Sequence, residues 1–230
     1  MLKHLRRIAS VAKLFKKAGF FVASILLFYF LVHSVIPEKK DIIDISAFHF
    51  FSTFISPAHT RMAIMITFFG TGSFLIPSYM LIAFYLLSKK CVKYAIMVSV
   101  MAISGLLLGW LLKEMFHRSR PLNPLIGGAG GYSFPSGHAL GGFIFSGVLL
   151  CLVRRTKMNI CLKWVLSLSI VTFGIMIGLS RIYLHVHYTT DVIGSLFVTF
   201  IWFSLFYIFF RAANHSPLPT VNSFNILSNS

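Results

Sequence analysis

Apolar residues fill runs of membrane length along this chain, and short polar stretches separate them. The first run, Ala18–Ile36, is 19 residues long, which at helical rise reaches about 28 Å, enough to cross a hydrocarbon core. Pro37 ends it, and EKKDIID follows. From Ile42 to Pro57 apolar and polar residues are mixed, with Phe48, Phe50, Phe51 and Phe54 supplying bulk. That pattern predicts an interfacial segment. Met62–Leu87 is apolar but broken by GTGS at 70–73 and by Pro77. It predicts a turn region near the outer surface and then a descending span from Ser73 to Leu87. Val92–Leu112, Gly137–Val153, Trp164–Leu179 and Val192–Phe210 supply four more spans. The predicted fold is an all-α polytopic membrane helical bundle, with six transmembrane helices and both termini cytoplasmic. Three regions are expected: a basic amphipathic segment over 1–17, a membrane domain over 18–211, and a poorly ordered Asn/Ser/Pro-rich tail over 212–230.

Composition fits this picture. The 230 residues are 57% hydrophobic and only 11% charged, with a mean hydropathy of +0.83. Such a chain cannot cover a water-facing surface with polar groups. The net charge of +16 does not point to nucleic acid, because the basic residues lie in short clusters between apolar runs. Lys89, Lys90 and Lys93 mark one such cluster, and Arg154, Arg155, Lys157 and Lys163 another. With the basic N-terminus they define the predicted inner side, while all five acidic residues fall on the outer side. Cys91, Cys151 and Cys161 sit near the basic side and imply no disulfide framework. Matching broken helices in two halves, the mark of an inverted-repeat transporter, are absent from the pattern.

Three polar stretches then emerge on the outer face. In Ser180–Asp191, His187 and Asp191 are four apart, so on a helix a carboxylate would hold an imidazole and fix its tautomer. The same residues also suit a polar helix cap at a membrane surface. Lys113 and Arg120 are seven apart, two helical turns, and can bind separate oxygens of one phosphate. They equally suit snorkelling interface anchors. Pro135-Ser136-Gly137-His138 opens a span, offering unpaired helix N–H groups to an anion, close backbone approach at Gly137 and a proton donor in His138. A capping serine beside an incidental histidine is the plainer alternative. Taken together, cationic side chains, helix N–H groups and two histidines suit phosphoryl transfer through a covalent intermediate.

The order K-x6-RP, PSGH and SR-x5-H-x3-D resembles the three signature motifs of the type 2 phosphatidic acid phosphatase superfamily, which includes bacterial lipid phosphatases, glucose-6-phosphatase and vanadium haloperoxidases. The resemblance covers about residues 61–211. It implies that His187 attacks phosphorus, with Asp191 orienting its ring, and that His138 protonates the leaving oxygen. It further implies that Lys113, Arg120, Ser136, the Gly137 N–H and Arg181 hold the phosphate, and that no metal or other cofactor is needed. A single carboxylate near the site is too few for a two-metal phosphatase. His185 stands outside the motif, and His117 and Arg118 are candidates for substrate contact.

The expected protein is therefore an integral membrane lipid phosphatase working through a phosphohistidine. Phosphatidylglycerophosphate or phosphatidic acid is the preferred substrate. Undecaprenyl-diphosphate phosphatase, lipid A phosphatase and lipid phosphotransferase are alternatives, and a lipid-binding transporter is the rival of another class. Short loops and the charge pattern predict a bacterial inner membrane, with the site facing the periplasm or exterior. GTGSFLIP at 70–77 is a candidate for lining the substrate's lateral approach.

Overall fold

The computed structural model describes residues 19, 21–35, 42–128 and 130–212, and every regular element among them is helical. In chain order these are α1 (Phe21–His33), α2 (Ile42–Ser52), α3 (Pro57–Phe68), α4 (Gly72–Ser88), α5 (Val92–Phe116), α6 (Gly137–Arg155), α7 (Ile160–Tyr183) and α8 (Thr189–Ala212). A π-helical turn, Leu31–Val35, ends α1. Five stretches are long and apolar enough to cross a membrane: Pro57–Ser88, Val92–Phe116, Gly137–Arg155, Ile160–Tyr183 and Thr189–Phe209. The expected first span, Ala18–Ile36, is represented by the shorter α1, roughly 20 Å at helical rise. Its ends, the basic segment 1–17 and the tail from 213 onward lie outside the described residues.

The region before Ser73 holds a regular helix where only a turn region was expected. Ser56 and Pro57 start a helix there: the Ser56 hydroxyl accepts from the His59 N–H at 3.1 Å, and Pro57 occupies the first turn. At its beginning, α3 touches the end of α7, where Thr60 Oγ1 lies 3.1 Å from the Tyr183 hydroxyl. Beyond its other end, Phe69 meets Phe173 with ring centroids 5.0 Å apart. Ten residues of α7 separate those contacts, about 15 Å of helix. So α3 packs along the part of α7 nearest the site, the break at 69–71 lies beside His138 in the first turn of α6, and α4 follows as the expected descending span. The break has local causes: Thr71 caps α4 through Phe74 N–H, and a Cβ on Gly70 would stand 2.8 Å from the His138 carbonyl oxygen.

Helix α6 is central, packing against α5, α7 and α8. Glycines let the helices close up: a Cβ on Gly105 of α5 would lie 2.6 Å from Ile144, and one on Gly178 of α7 would lie 2.8 Å from Val192. Val98, Met101, Leu140, Ile144, Val148 and Val198 make a buried core between α5, α6 and α8. Trp110, Leu107, Leu168 and Phe84 are exposed on the outside, as befits a surface whose solvent is lipid. Because successive long helices alternate in direction, the end of α5, the start of α6, the end of α7 and the start of α8 share one end of the bundle. Lys89, Lys90, Arg154 and Arg155 lie at the other, where α4 meets α5 and α6 meets α7.

Candidate functional site

That shared end gathers the eight residues singled out in the sequence, though two arrive by a different route. His187 lies in the turn ahead of α8 rather than on a helix with Asp191. The pair still meets, Nδ1 to Oδ2 at 3.4 Å, because Asp191 in the first turn of α8 folds back to accept from the Tyr188 N–H at 2.9 Å. Both side chains are buried, at 1% and 0% exposure. Lys113 and Arg120 share no helix face either. Helix α5 ends at Phe116, and His117 takes a left-handed conformation with φ 46° that turns the chain away.

Backbone carbonyls of the loop after α5 and of the turn before α8 hold Arg120. Its Nε donates to Gly131 O at 3.0 Å, Nη2 to Gly130 O at 2.9 Å and Nη1 to Val186 O at 2.8 Å. Gly131 has φ 70°, a conformation that favours glycine. The same Nη1 lies 3.1 Å from His187 Nε2. A guanidinium has only donors, so Nε2 is the acceptor and the proton sits on Nδ1, facing Asp191 and Ser133. The lone pair is thus on the nitrogen that points into the cationic cluster. Burial pushes His187 down to about 4, against the opposing pull of Asp191, so the ring is neutral at neutral pH.

Helix α6 begins at the cluster. Ser136 is its N-cap but makes no capping hydrogen bond, and its hydroxyl is buried without a partner. A Cβ on Gly137 would meet only Lys113 Cε, at 4.0 Å, so the helix N-terminus is open toward the lysine. The Lys113 ammonium donates to Tyr132 O. Arg181 is 5% exposed; its Nη1 donates to Thr67 Oγ1 at 2.8 Å, while its Nε is buried without a partner. His138 lies within Coulombic reach of Arg181, His187, Arg120 and Lys113. Two orphaned buried polar atoms, a bare helix N-terminus and three cations together make a cradle for a tetrahedral anion.

Behind it lies an apolar cavity of about 610 Å³ between α4, α5 and α6. Lys113, Gly137 and His138 line it, with Leu75, Ile76, Ile103 and Leu106 among its apolar walls. Gly70 and Gly72 from the GTGS turn belong to the same lining.

Three further residues at the site, Ser133, Thr67 and Asp44, were not singled out in the sequence. Ser133 donates to Asp191 Oδ2 and Thr67 anchors Arg181. Arg118, expected as a candidate for substrate contact, is 8% exposed and bridges Asp191 Oδ1 at 2.6 Å and Asp44 Oδ2 at 2.9 Å. Asp44 therefore puts a second carboxylate beside the site, where one was expected. Both carboxylates are bound to Arg118, and the described residues contain no group of three His, Cys, Asp or Glu placed to hold a metal ion. His185 packs against Phe48, ring centroids 4.8 Å apart, and Glu114 is exposed.

Comparison with known proteins identifies relatives of the chain. The chain is 34% identical over 129 residues to undecaprenyl-diphosphatase BcrC of Bacillus subtilis, a match covering 54% of this chain and 58% of that protein. It is 28% identical over 142 residues to phosphatidylglycerophosphatase B of the same organism, covering 61% and 70%. The crystal structure of a transmembrane PAP2-type phosphatidylglycerolphosphate phosphatase from Bacillus subtilis superposes with a TM-score of 0.72 at 25% identity, covering 86% of this chain and 98% of that one. Aquifex aeolicus LpxE shares the fold, with a TM-score of 0.56 at 21% identity over 74% and 97% of the two chains. The family model described as PAP2 superfamily matches residues 93–215, more than half the chain and the whole stretch from Lys113 to Asp191. On that match the chain belongs to the PAP2 superfamily.

Proposed function

We propose that the chain is an integral membrane lipid phosphatase acting through a phosphohistidine. The observation that carries the reading is that the anion cradle and His138 stand at the head of an apolar cavity, so a headgroup phosphate and its tail have adjoining places. His187 Nε2 attacks phosphorus and the bond to the lipid oxygen breaks, with His138 delivering its proton to that oxygen. His138 then takes a proton from water as the water oxygen bonds to phosphorus, the N–P bond breaks with its electron pair returning to His187 Nε2, and inorganic phosphate leaves. Lys113, Arg120, Ser136, the Gly137 N–H and Arg181 hold the equatorial oxygens, and Arg120 exchanges its Nε2 contact for one of them. Asp191 keeps the His187 proton on Nδ1.

The preferred substrates are phosphatidylglycerophosphate and phosphatidic acid, in keeping with the superposition on the phosphatidylglycerolphosphate phosphatase. A lipid diphosphate is the second reading, favoured by the higher identity to the undecaprenyl-diphosphatase. The basic residues at the opposite end of the bundle favour a cytoplasmic-membrane protein with its site on the outer side, and α1 would complete six spans. The test is phosphate release in EDTA from phosphatidylglycerophosphate, phosphatidic acid, undecaprenyl diphosphate and lipid A, with His187→Ala as control. Release from one of them that the variant lacks is expected. Turnover that persists in the variant overturns the mechanism.

A further inference from the structure

Helix α2 exposes Ile42, Ile43, Ile45 and Phe50, yet its one buried residue is an acid, Asp44, 2% exposed. Burying an ion demands compensation, and the compensation lies across the fold. Asp44 Oδ1 accepts from the Thr190 N–H at 2.9 Å, and Oδ2 accepts from Thr190 Oγ1 at 2.7 Å and Arg118 Nη2 at 2.9 Å. The other terminal nitrogen of Arg118 donates to Asp191 Oδ1 at 2.6 Å and to Thr190 Oγ1 at 2.7 Å. The Tyr188 ring covers the guanidinium, with 4.3 Å from Cζ to the centroid. With both ends of its fork engaged, Arg118 is turned away from phosphate binding.

We propose that Asp44 and Arg118 are positioning residues: with Asp191 they form a buried carboxylate–guanidinium–carboxylate bridge by which α2 fixes the orientation and charge of the acid that supports His187. Asp191 Oδ2 serves the His187 side, taking Ser133, Tyr188 N–H and the ring, while Oδ1 takes Arg118. The guanidinium therefore locks the carboxylate's rotation and tempers its pull on the imidazole proton. Asp44 in turn shares that guanidinium and grips the first turn of α8, so docking of α2 and geometry at Asp191 are one event. Ala47, Phe48 and Phe51 support the docking by packing on Ala139, Ile182 and Val192.

The catalytic consequence rests on the phosphohistidine reading, but the electrostatic one does not, and the experiment separates them. Histidine 13Cε1 NMR of the full-length chain in detergent reads the titration of His187 directly, with the resonance assigned through His187→Gln. The charged and titratable groups facing that ring are Asp191, Arg120, Arg181 and His138, and all stay in place in the test variants. Removing the cation in Arg118→Gln leaves Asp191 a stronger partner and raises the His187 midpoint by about one pH unit. Removing the competing carboxylate in Asp44→Asn commits Arg118 to Asp191 and lowers the midpoint by roughly a few tenths of a unit. The double variant keeps most of the rise, because loss of the cation outweighs loss of the carboxylate.

On phosphatidic acid vesicles the single variants should lose kcat roughly tenfold with KM within about twofold, since neither residue touches phosphate. A merely structural role predicts no opposed shifts. Midpoints that do not move, or move the same way, overturn the proposal. Should Arg118→Gln not fold, the near-isosteric Asp44→Asn decides by itself, and an unchanged midpoint there is the refuting result. Absence of turnover on every lipid, with opposed NMR shifts intact, would sink the phosphatase reading and leave the bridge standing.

Discussion

Thr67 offers a sharp test of how the cradle is built, because it touches no substrate in the proposed mechanism. Its hydroxyl accepts from Arg181 Nη1 at 2.8 Å in a buried setting, while Arg181 Nε is left for the anion. Thr67→Val keeps the shape and removes the acceptor. A hydrogen bond to a charged group contributes about 1.5–3 kcal/mol, so the loosened guanidinium should lower kcat/KM by roughly 10- to 100-fold. Arg181→Lys removes the forked donor itself and should lower kcat by about 10²–10³-fold, the usual loss when one preorganised donor to a transition-state oxygen is deleted. Because Thr67 acts only through Arg181, the double variant should be no worse than Arg181→Lys alone. Phosphate release in EDTA, with kcat and KM separated on phosphatidic acid and phosphatidylglycerophosphate, gives all three numbers. A fully active Thr67→Val, or a double variant whose losses multiply, would refute the argument that the threonine aims the arginine.

Further outcomes follow from the same geometry. His187→Ala should abolish acid-labile phosphoenzyme in rapid-quench experiments, whereas His138→Ala should slow its formation by about 10²–10⁴-fold, the range of a lost general acid. Burial lowers His187 from 6.5 to about 4, so between those values the unfolded chain binds more protons than the folded one. Stability should then fall as pH drops from 6.5 toward 4, and thermal melts of His187→Gln should show a flatter slope across that window. Gly70→Ala places a Cβ 2.8 Å from the His138 carbonyl oxygen, backbone that cannot swing aside. It should cut kcat tenfold or more, on the order of the loss from a sub-ångström to 1 Å misplacement, while circular dichroism stays unchanged.

The parts of this site that could be read from sequence are those in which chemistry and local spacing coincide. Lys113, Arg120, Ser136, His138, Arg181, His187 and Asp191 are unusual residue types at the ends of apolar runs, and the alternation of helices forces those ends together. Composition and run length sufficed for the all-helical membrane bundle. Helix α3 is not evident from the apolar run, which is broken at Gly70, although an N-cap serine followed by proline, as at Ser56–Pro57, is a helix signal. Lys113 and Arg120 do not share a face because the helix ends at a left-handed His117, and nothing in KEMFHRSRP announces that end, positive φ being uncommon for any residue but glycine.

The contacts of Asp44, Thr67 and Arg118 are hidden for a different reason: their partners lie 146, 114 and 73 residues away. One signal for Asp44 was nevertheless present. It is one of only five acids in the chain and stands among Ile42, Ile43 and Ile45, where an unpaired carboxylate has no favourable place. In a protein this poor in carboxylates, each acid flanked by apolar residues implies a cation folded against it. Here the cation is Arg118, inside the first motif. The spacing residues of K-x6-RP are therefore not interchangeable in this chain, since one of them joins α2 to the acid behind His187.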